Sequence, residues 1–307
     1  MGLMVKSFEE AEIMAAKVGP KRISVLRAEN REFLLALKES YRRGYVEPIL
    51  IGDASKIREI ADDIDFDIGT FLLIDEKSQQ KIADKGVRLV SEGKSDLILR
   101  GHIDGHYVYR ALIRHSAQTG ARRQICVVAL MQMPVLPKFI GLVDPGITVA
   151  PDFHAKMAII QNAVDLFSHL GYENPRVGIL TAHRRLNAEL DSVLDAMKIR
   201  DAQSRGELTG CIIEEGLSLS DFFLGKSGFL ENHGDIDFSF IPDILLAHNI
   251  EFANIFSKLD SMSTIDYFPR WERHGIVTGA DAPAIIPSRA DKHDAIVTII
   301  ALGVLIS

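Results

Sequence analysis

Short apolar runs recur along this chain, and a stretch with helical periodicity follows most of them. Ile23–Leu26, Pro48–Ile51, Phe71–Ile74 and Asp96–Leu99 read as strands. Asn30 caps a helix whose inner face carries Phe33, Leu34 and Leu37. Ala54–Ala61 is helical, a further helix runs to about Val90, and Tyr107–His115 has helical spacing. Ile125–Met131 and Phe139–Val143 are strands set close together, with Met133-Pro134 and Leu136-Pro137 between them. A strand buried on both faces reads as a continuous apolar run, and alternation with helices supplies the covering layers. The pattern therefore predicts an α/β fold with mostly parallel sheets.

The second half repeats the pattern after Val143-Asp144-Pro145-Gly146, a turn-forming break. Pro151 opens a helix to about Leu170, with Met157, Ile160, Val164 and Phe167 inward, and Gly171 ends it. Val177–Leu180 is a strand leading into Thr181-Ala182-His183-Arg184-Arg185, and Ala188–Met197 is helical. Cys211–Ile213 is a strand, Gly225–Asp237 a polar stretch, Ile244–Ala247 a strand, Ile250–Leu259 a helix and Ile276–Thr278 a strand. A segment Ala284–Ile286 is stopped by Pro287, and a helix is expected from about Ala290 to Ile306.

Charge and composition bound the function. With 307 residues the chain holds two domains or one large one. A net charge of −7 argues against a nucleic-acid binder and leaves a small anionic substrate open, because local arginines bind anions on acidic proteins. Cys126 and Cys211 lack metal-ligand spacing and read as buried thiols in a reducing compartment, the cytoplasm. No N-terminal run resembles a signal peptide, and Ala295–Ile306 is too short to span a bilayer.

Polar residues stand at the carboxyl ends of several strands: Arg100–Asp104, Thr181–Arg185, His248–Glu251 and Pro287–Asp291. Ligands gather at such ends in open α/β sheets. Ser288-Arg289 before a helix has two readings. One is a helix cap with a solvated arginine; the other is a phosphate or oxyanion site built from a hydroxyl, a guanidinium fork and helical N–H groups. Neither a Gly-x-Gly-x-x-Gly motif nor a P-loop is present. His102 and His106 have i, i+4 spacing, but no carboxylate completes a zinc pattern, so no metal is expected. No Gly-x-Ser-x-Gly elbow surrounds Ser288. Arg110, Arg122 and Arg123 are candidate anion binders; Glu251 and Asn254 share a helical face and read equally as a cap and a surface residue.

Several motifs together resemble the phosphate acetyl/butyryl transferase family, most nearly its phosphate butyryltransferase branch. They are Leu142-Val-Asp-Pro-Gly-Ile-Thr-Val-Ala-Pro-Asp-Phe with Lys156 and Ile160-Gln-Asn-Ala-Val; Pro242-Asp-Ile-Leu-Leu with Ile250-Glu251 and Asn254; and Pro287-Ser-Arg-Ala-Asp. The resemblance covers nearly the whole chain, best over 140–182 and 242–307 and poorly over 200–240. It implies a two-domain isocitrate/isopropylmalate dehydrogenase-like fold with an interdomain cleft. Residues 1–141 and 280–307 would form one α/β domain and 142–279 the other. It also implies a cytoplasmic homodimer acting on acyl-CoA and phosphate, giving acyl phosphate and CoA, with CoA a substrate and no cofactor or metal. On this alignment Ser288 positions the thiol or carbonyl oxygen, Arg289 neutralises the phosphoryl group, and Arg110 and, less directly, Arg123 bind anions. Thr181, Glu251 and Asn254 fall on stretches that would bind substrate.

The chain departs from the family pattern at places that bear on activity. Glu251-Phe252-Ala253-Asn254 stands where the family has Glu-Ala-Gly-Asn, and His248-Asn249 replaces Pro-Asp. Arg184 replaces a glutamate, and Glu214-Glu215-Gly216-Leu217 stands in place of Asp-Gly-Pro-Leu. The acetyl branch carries a general-base aspartate seven positions after the serine; that position is Ala295, which leaves Asp291 or Asp294 as substitutes, Asp291 being shared with the butyryl branch. Two alternatives therefore stand beside the enzyme: a catalytically altered CoA- or phosphate-binding subunit, and another acyl or methyl transfer within a larger complex.

Overall fold

A computed structural model describes residues 4–119, 124–134, 136–182, 190–214, 218–219, 241–259, 271–281 and 283–307. The chain divides into two compact units, one of residues 8–125 and 274–307, the other of residues up to 7 and 126–273.

The first unit is built on the parallel strands β1 (Lys21–Leu26), β2 (Val46–Gly52), β3 (Leu72–Asp75) and β4 (Leu97–Arg100), with β11 (Ala284–Ile286) parallel to β4 and antiparallel to β10 (Glu272–Thr278). The order is β3-β2-β1-β4-β11-β10. The helices are α1 (Phe8–Val18), α2 (Arg31–Arg42), α3 (Ala54–Asp63), α4 (Gln79–Ser91), α5 (Gly105–Thr119) and α9 (His293–Leu305). Register fixes which face each covers. Leu97 and Leu99 pair with Ile23 and Val25, whereas Ile98 and Arg100 pair with Ser24 and Leu26. Gly303 of α9 lies against Leu97, and Gly86 of α4 lies against Leu26. Residues paired across parallel strands point to one side and alternate residues to the other, so α9 and α4 cover opposite faces. That double cover is why β4 is an unbroken apolar run up to Arg100, where the strand leaves the core.

The second unit holds β5 (Cys126–Gln132) and β6 (Phe139–Val143), paired antiparallel, then β9 (Ile244–Leu246), β7 (Arg176–Ile179) and β8 (Ile212–Ile213), all parallel. Its helices are α6 (Phe153–His169), α7 (Asp191–Ser204) and α8 (Ile250–Ser257). Asp152 caps α6 by accepting from the Ala155 amide at 2.8 Å, and Gly171 follows the helix at φ +84°, the left-handed conformation that glycine adopts freely. The expected division at 141/142 and 279/280 differs from the observed one. β5 and β6 pair residue for residue from Val128–Val143 to Gln132–Phe139, which keeps both strands in one unit.

Charged groups anchor this second unit. The buried Asp144 carboxylate accepts from the amides of Val127 (3.0 Å), Gly146 (3.0 Å), Ile147 (3.2 Å) and Thr148 (2.8 Å). Asp243 accepts from Lys138 Nζ at 2.7 Å and from the Arg176 amide at 2.8 Å. Buried carboxylates survive only when their lone pairs are filled in this way.

A candidate anion site at the sheet's carboxyl edge

Three segments of the first unit converge where β1, β4 and β11 end. They are Arg27 to Phe33, residues 100–104 and residues 288–292, and they line a hollow of about 370 Å³. Arg27 follows β1 with φ +57°, a left-handed conformation that costs a non-glycine residue about 1–3 kcal/mol and is usually retained where function requires it. Gly101 is demanded by close approach: a Cβ there would lie 2.3 Å from the Leu26 carbonyl oxygen. The Arg27 oxygen in turn accepts from the His102 amide at 3.1 Å, which locks the two strand ends together.

The third segment is a turn, not the start of a helix. The Ser288 amide donates to Asp291 Oδ2 at 2.7 Å, and the Asp291 amide donates back to the Ser288 oxygen at 3.2 Å. α9 begins at His293, whose amide is capped from α2 by Glu32 at 2.9 Å. That amide holds the Glu32 carboxyl below its ordinary range. The expectation that the helix begins near Ala290 is thus corrected: Asp291 turns back on Ser288, and the capping group comes from another helix.

Arg289 is exposed and donates to Asp104 at 2.5 Å. Arg100 is largely buried. Its Nη2 donates to the Pro287 carbonyl oxygen, while its buried Nε has no partner among the described residues. Burial, and the nearby Arg289 charge, push the Arg100 guanidinium below its ordinary pKa despite the opposing pull of Tyr109, Asp291 and Asp104. Such an arrangement can hold a compact, oxygen-rich anion.

The structure thus brings together Ser288, Arg289 and Asp291. Arg110 is exposed on α5 and does not line this hollow. Arg123 lies outside the described residues, as do 183–189, 215–217 and the polar stretch 225–237. His102 precedes α5 and so does not share a helix with His106; it lines the hollow instead. Arg100 and Arg27 were missed as site residues. Arg100 stood in a polar stretch at a strand end, but its missing partner is a three-dimensional fact.

Thr181, Glu251 and Asn254 belong to the second unit. Thr181 is buried just beyond β7. Glu251 is exposed in the first turn of α8, which Asn249 caps by accepting from the Phe252 amide at 3.0 Å. Asparagine caps as well as aspartate does, so the Asn249 departure leaves the helix start intact. Asn254 Nδ2 donates to the Pro145 oxygen at 2.9 Å and ties α8 to the Asp144 turn. Ala253 packs in the core with Leu142 and Leu245, while Phe252 is half-exposed and stacked on Phe256.

A larger hollow of about 470 Å³ lies between α4 and α5, and three of its cations are paired with carboxylates. Arg114 pairs with Asp84 (2.7 Å), Lys85 with Glu76 (3.0 Å) and Arg88 with Glu92 (3.7 Å). We therefore give weight to the smaller one.

Fold and site together define an α/β protein with an arginine-lined hollow at the carboxyl edge of a largely parallel sheet. The chain belongs to the phosphate acetyl/butaryl transferase family, whose pattern it matches over residues 78–304. It is 28% identical over 304 residues to the phosphate butyryltransferase of Clostridium acetobutylicum, covering 99% of each chain. Among solved structures it resembles a branched-chain phosphotransacylase from Enterococcus faecalis, with a TM-score of 0.74, 17% identity and coverage of 93% of this chain and 99% of the other. It also resembles a 4-hydroxythreonine-4-phosphate dehydrogenase from Burkholderia phymatum, with a TM-score of 0.59, 11% identity and coverage of 94% and 98%.

Proposed function

We propose that this protein transfers an acyl group between CoA and inorganic phosphate. The observation that carries the reading is the family match over 78–304, which contains both the 100–104 and the 288–292 segments of the hollow. The dehydrogenase likeness supports the narrower assignment to an isocitrate/isopropylmalate dehydrogenase-like architecture.

In the direction of acyl phosphate synthesis, a phosphate oxygen attacks the thioester carbonyl. The C–O bond forms, the C–S bond breaks, and the CoA thiolate leaves and takes a proton. Arg289 holds the phosphoryl oxygens after exchanging away from Asp104. The Ser288 hydroxyl points its proton at the carbonyl oxygen, where negative charge develops. Asp291, held beside Ser288 by that residue's own amide, carries the proton to or from the thiol. We assign Arg110 and Arg123 to anionic parts of CoA, and Thr181, Glu251 and Asn254 to substrate placement. No metal or bound cofactor enters this scheme. The reading also makes the protein a cytoplasmic homodimer, which light scattering on purified material tests for assembly.

Purified protein mixed with acetyl-, butyryl- and branched acyl-CoA plus phosphate should release free thiol with at least one of them. Binding of CoA without thiol release across the panel would replace the enzyme with a ligand-binding subunit of the same family.

A further inference from the structure

Arg27, Arg100, Arg289 and Lys292 line the hollow, and Arg100 differs from the others in having a buried side-chain donor with no partner among the described residues. Arg27 has Glu29 at 3.4 Å. Arg289 has Asp104 at 2.5 Å. Glu32 is occupied by His293, and Asp291 accepts from the Ser288 amide. Among the described residues Arg100 has no carboxylate within ion-pair distance, although its Nε is buried. Its Nη2 is fixed by the Pro287 oxygen and its Nε is bare. A guanidinium withdrawn from water without a counter-ion is costly, and chains keep such an arrangement where an anion completes it.

We infer that Arg100 is the fixed seat for a phosphate-type dianion in this hollow, with Arg289 as the exchangeable cation that leaves Asp104 to cover it. The two arginines divide the work. Arg100 is tethered to the backbone beyond β11 and cannot follow a ligand, so it sets the anion's position. Arg289 is tethered only to an exposed carboxylate, which a dianion outcompetes. Asp104 is then a gate that repels the anion until Arg289 swings. The assignment rests on the proposed reading of this hollow but names a residue and an order of events that the reading does not supply. The anion has two sources, free inorganic phosphate or the 3′-phosphate of CoA.

The test is equilibrium binding to the intact protein with three probes: inorganic phosphate, CoA and dephospho-CoA. Arg100→Gln should weaken binding of one phosphate-bearing probe by about 10- to 100-fold, the loss expected for a charged hydrogen-bonded contact. Weaker inorganic phosphate identifies the substrate phosphate. Weaker CoA with unchanged phosphate and dephospho-CoA identifies the 3′-phosphate. Arg100→Lys, which keeps the charge and loses the fork, should recover part of the affinity. Asp104→Asn should strengthen binding of the same probe. Unchanged dissociation constants for all three probes in Arg100→Gln overturn the inference, even if that variant melts earlier. If Arg100→Gln does not fold, unchanged constants in Arg100→Lys overturn it equally. If the wild-type protein fails the thiol-release panel yet binds phosphate through Arg100, the proposed reaction falls and the seat stands. Turnover with Arg100-independent phosphate binding gives the reverse.

Discussion

Two charged regions of this molecule are built by opposite rules. Around Asp144 and Asp243 in the second unit, every carboxylate oxygen has a donor. Asp144 takes four amides, and Asp243 takes Lys138 and the Arg176 amide. At the carboxyl edge of the first unit, Arg100 has no counter-ion among the described residues, Arg289 holds an exposed one, and Arg27 adopts a left-handed backbone. The first region closes its polar accounts internally and serves the fold. The second leaves a buried donor unmatched among the described residues. Counting partners, more than counting charges, separates scaffold from site.

The sharpest way to break this comparison is to remove a closed carboxylate. Asp144→Ala leaves four amides without their acceptor, one of them in buried β5. The expected cost is about 3–5 kcal/mol of stability. Asp144→Asn keeps an acceptor oxygen and should cost less. Urea unfolding measures both. Wild-type stability in Asp144→Ala would show that the turn finds other partners and that closure is not what holds it.

The open region should respond in the other currency. Arg289→Ala removes an exposed side chain, so its effect on unfolding should stay within about 0.5 kcal/mol. Its effect on turnover should be about 100- to 1000-fold, as for loss of one charge-stabilising donor. Parallel measurement of unfolding and thiol release separates the two. An unimpaired rate removes Arg289 from the chemistry; a large loss of stability erases the contrast between the regions.

Much of the scaffold was legible in the sequence. Phe139–Val143 and Ala284–Ile286 form strands with the bounds their apolar runs suggest, because those bounds depend on local burial. Gly171 ends α6 because its left-handed backbone is a local preference. What was not legible depends on distant partners. α9 starts at His293 because Glu32 of α2 caps it there. The Asp144 stretch reads only as a turn-forming break, and the four amides that pin it are not visible in the sequence. Arg100 reads as one more charge at a strand end, since the absence of a partner leaves no mark on neighbouring residues. The Ser288–Asp291 step was visible only as a pattern, and its folding back on itself was not.

A third cluster lies between the two rules and supplies the subtlest test. Lys156 of α6 is nearly fully buried and donates both to Asp195 of α7 and, at 3.2 Å, to His248 Nδ1 just beyond β9. His248 is half-exposed, so its ring is closed on one side and open on the other. Burial, and then the Lys156 charge, lower its pKa from the ordinary imidazole value, against the pull of Asp195 and Asp191. The sign follows from proton counting. Below an unfolded pKa of about 6.5 the unfolded chain binds a proton at this site that the folded chain binds less readily. Stability from this site is therefore fully present above that pH and lost as pH falls through it, down toward the folded value. His248→Gln removes the titration and leaves a polar group in reach of Lys156. Between about pH 7.5 and 5.5 the urea midpoint of the wild-type protein should fall by more than that of His248→Gln. Equal falls would place His248 with the closed anchors, its proton unaffected by folding; a steeper fall in the variant would mean that Lys156 needs the imidazole to stay buried.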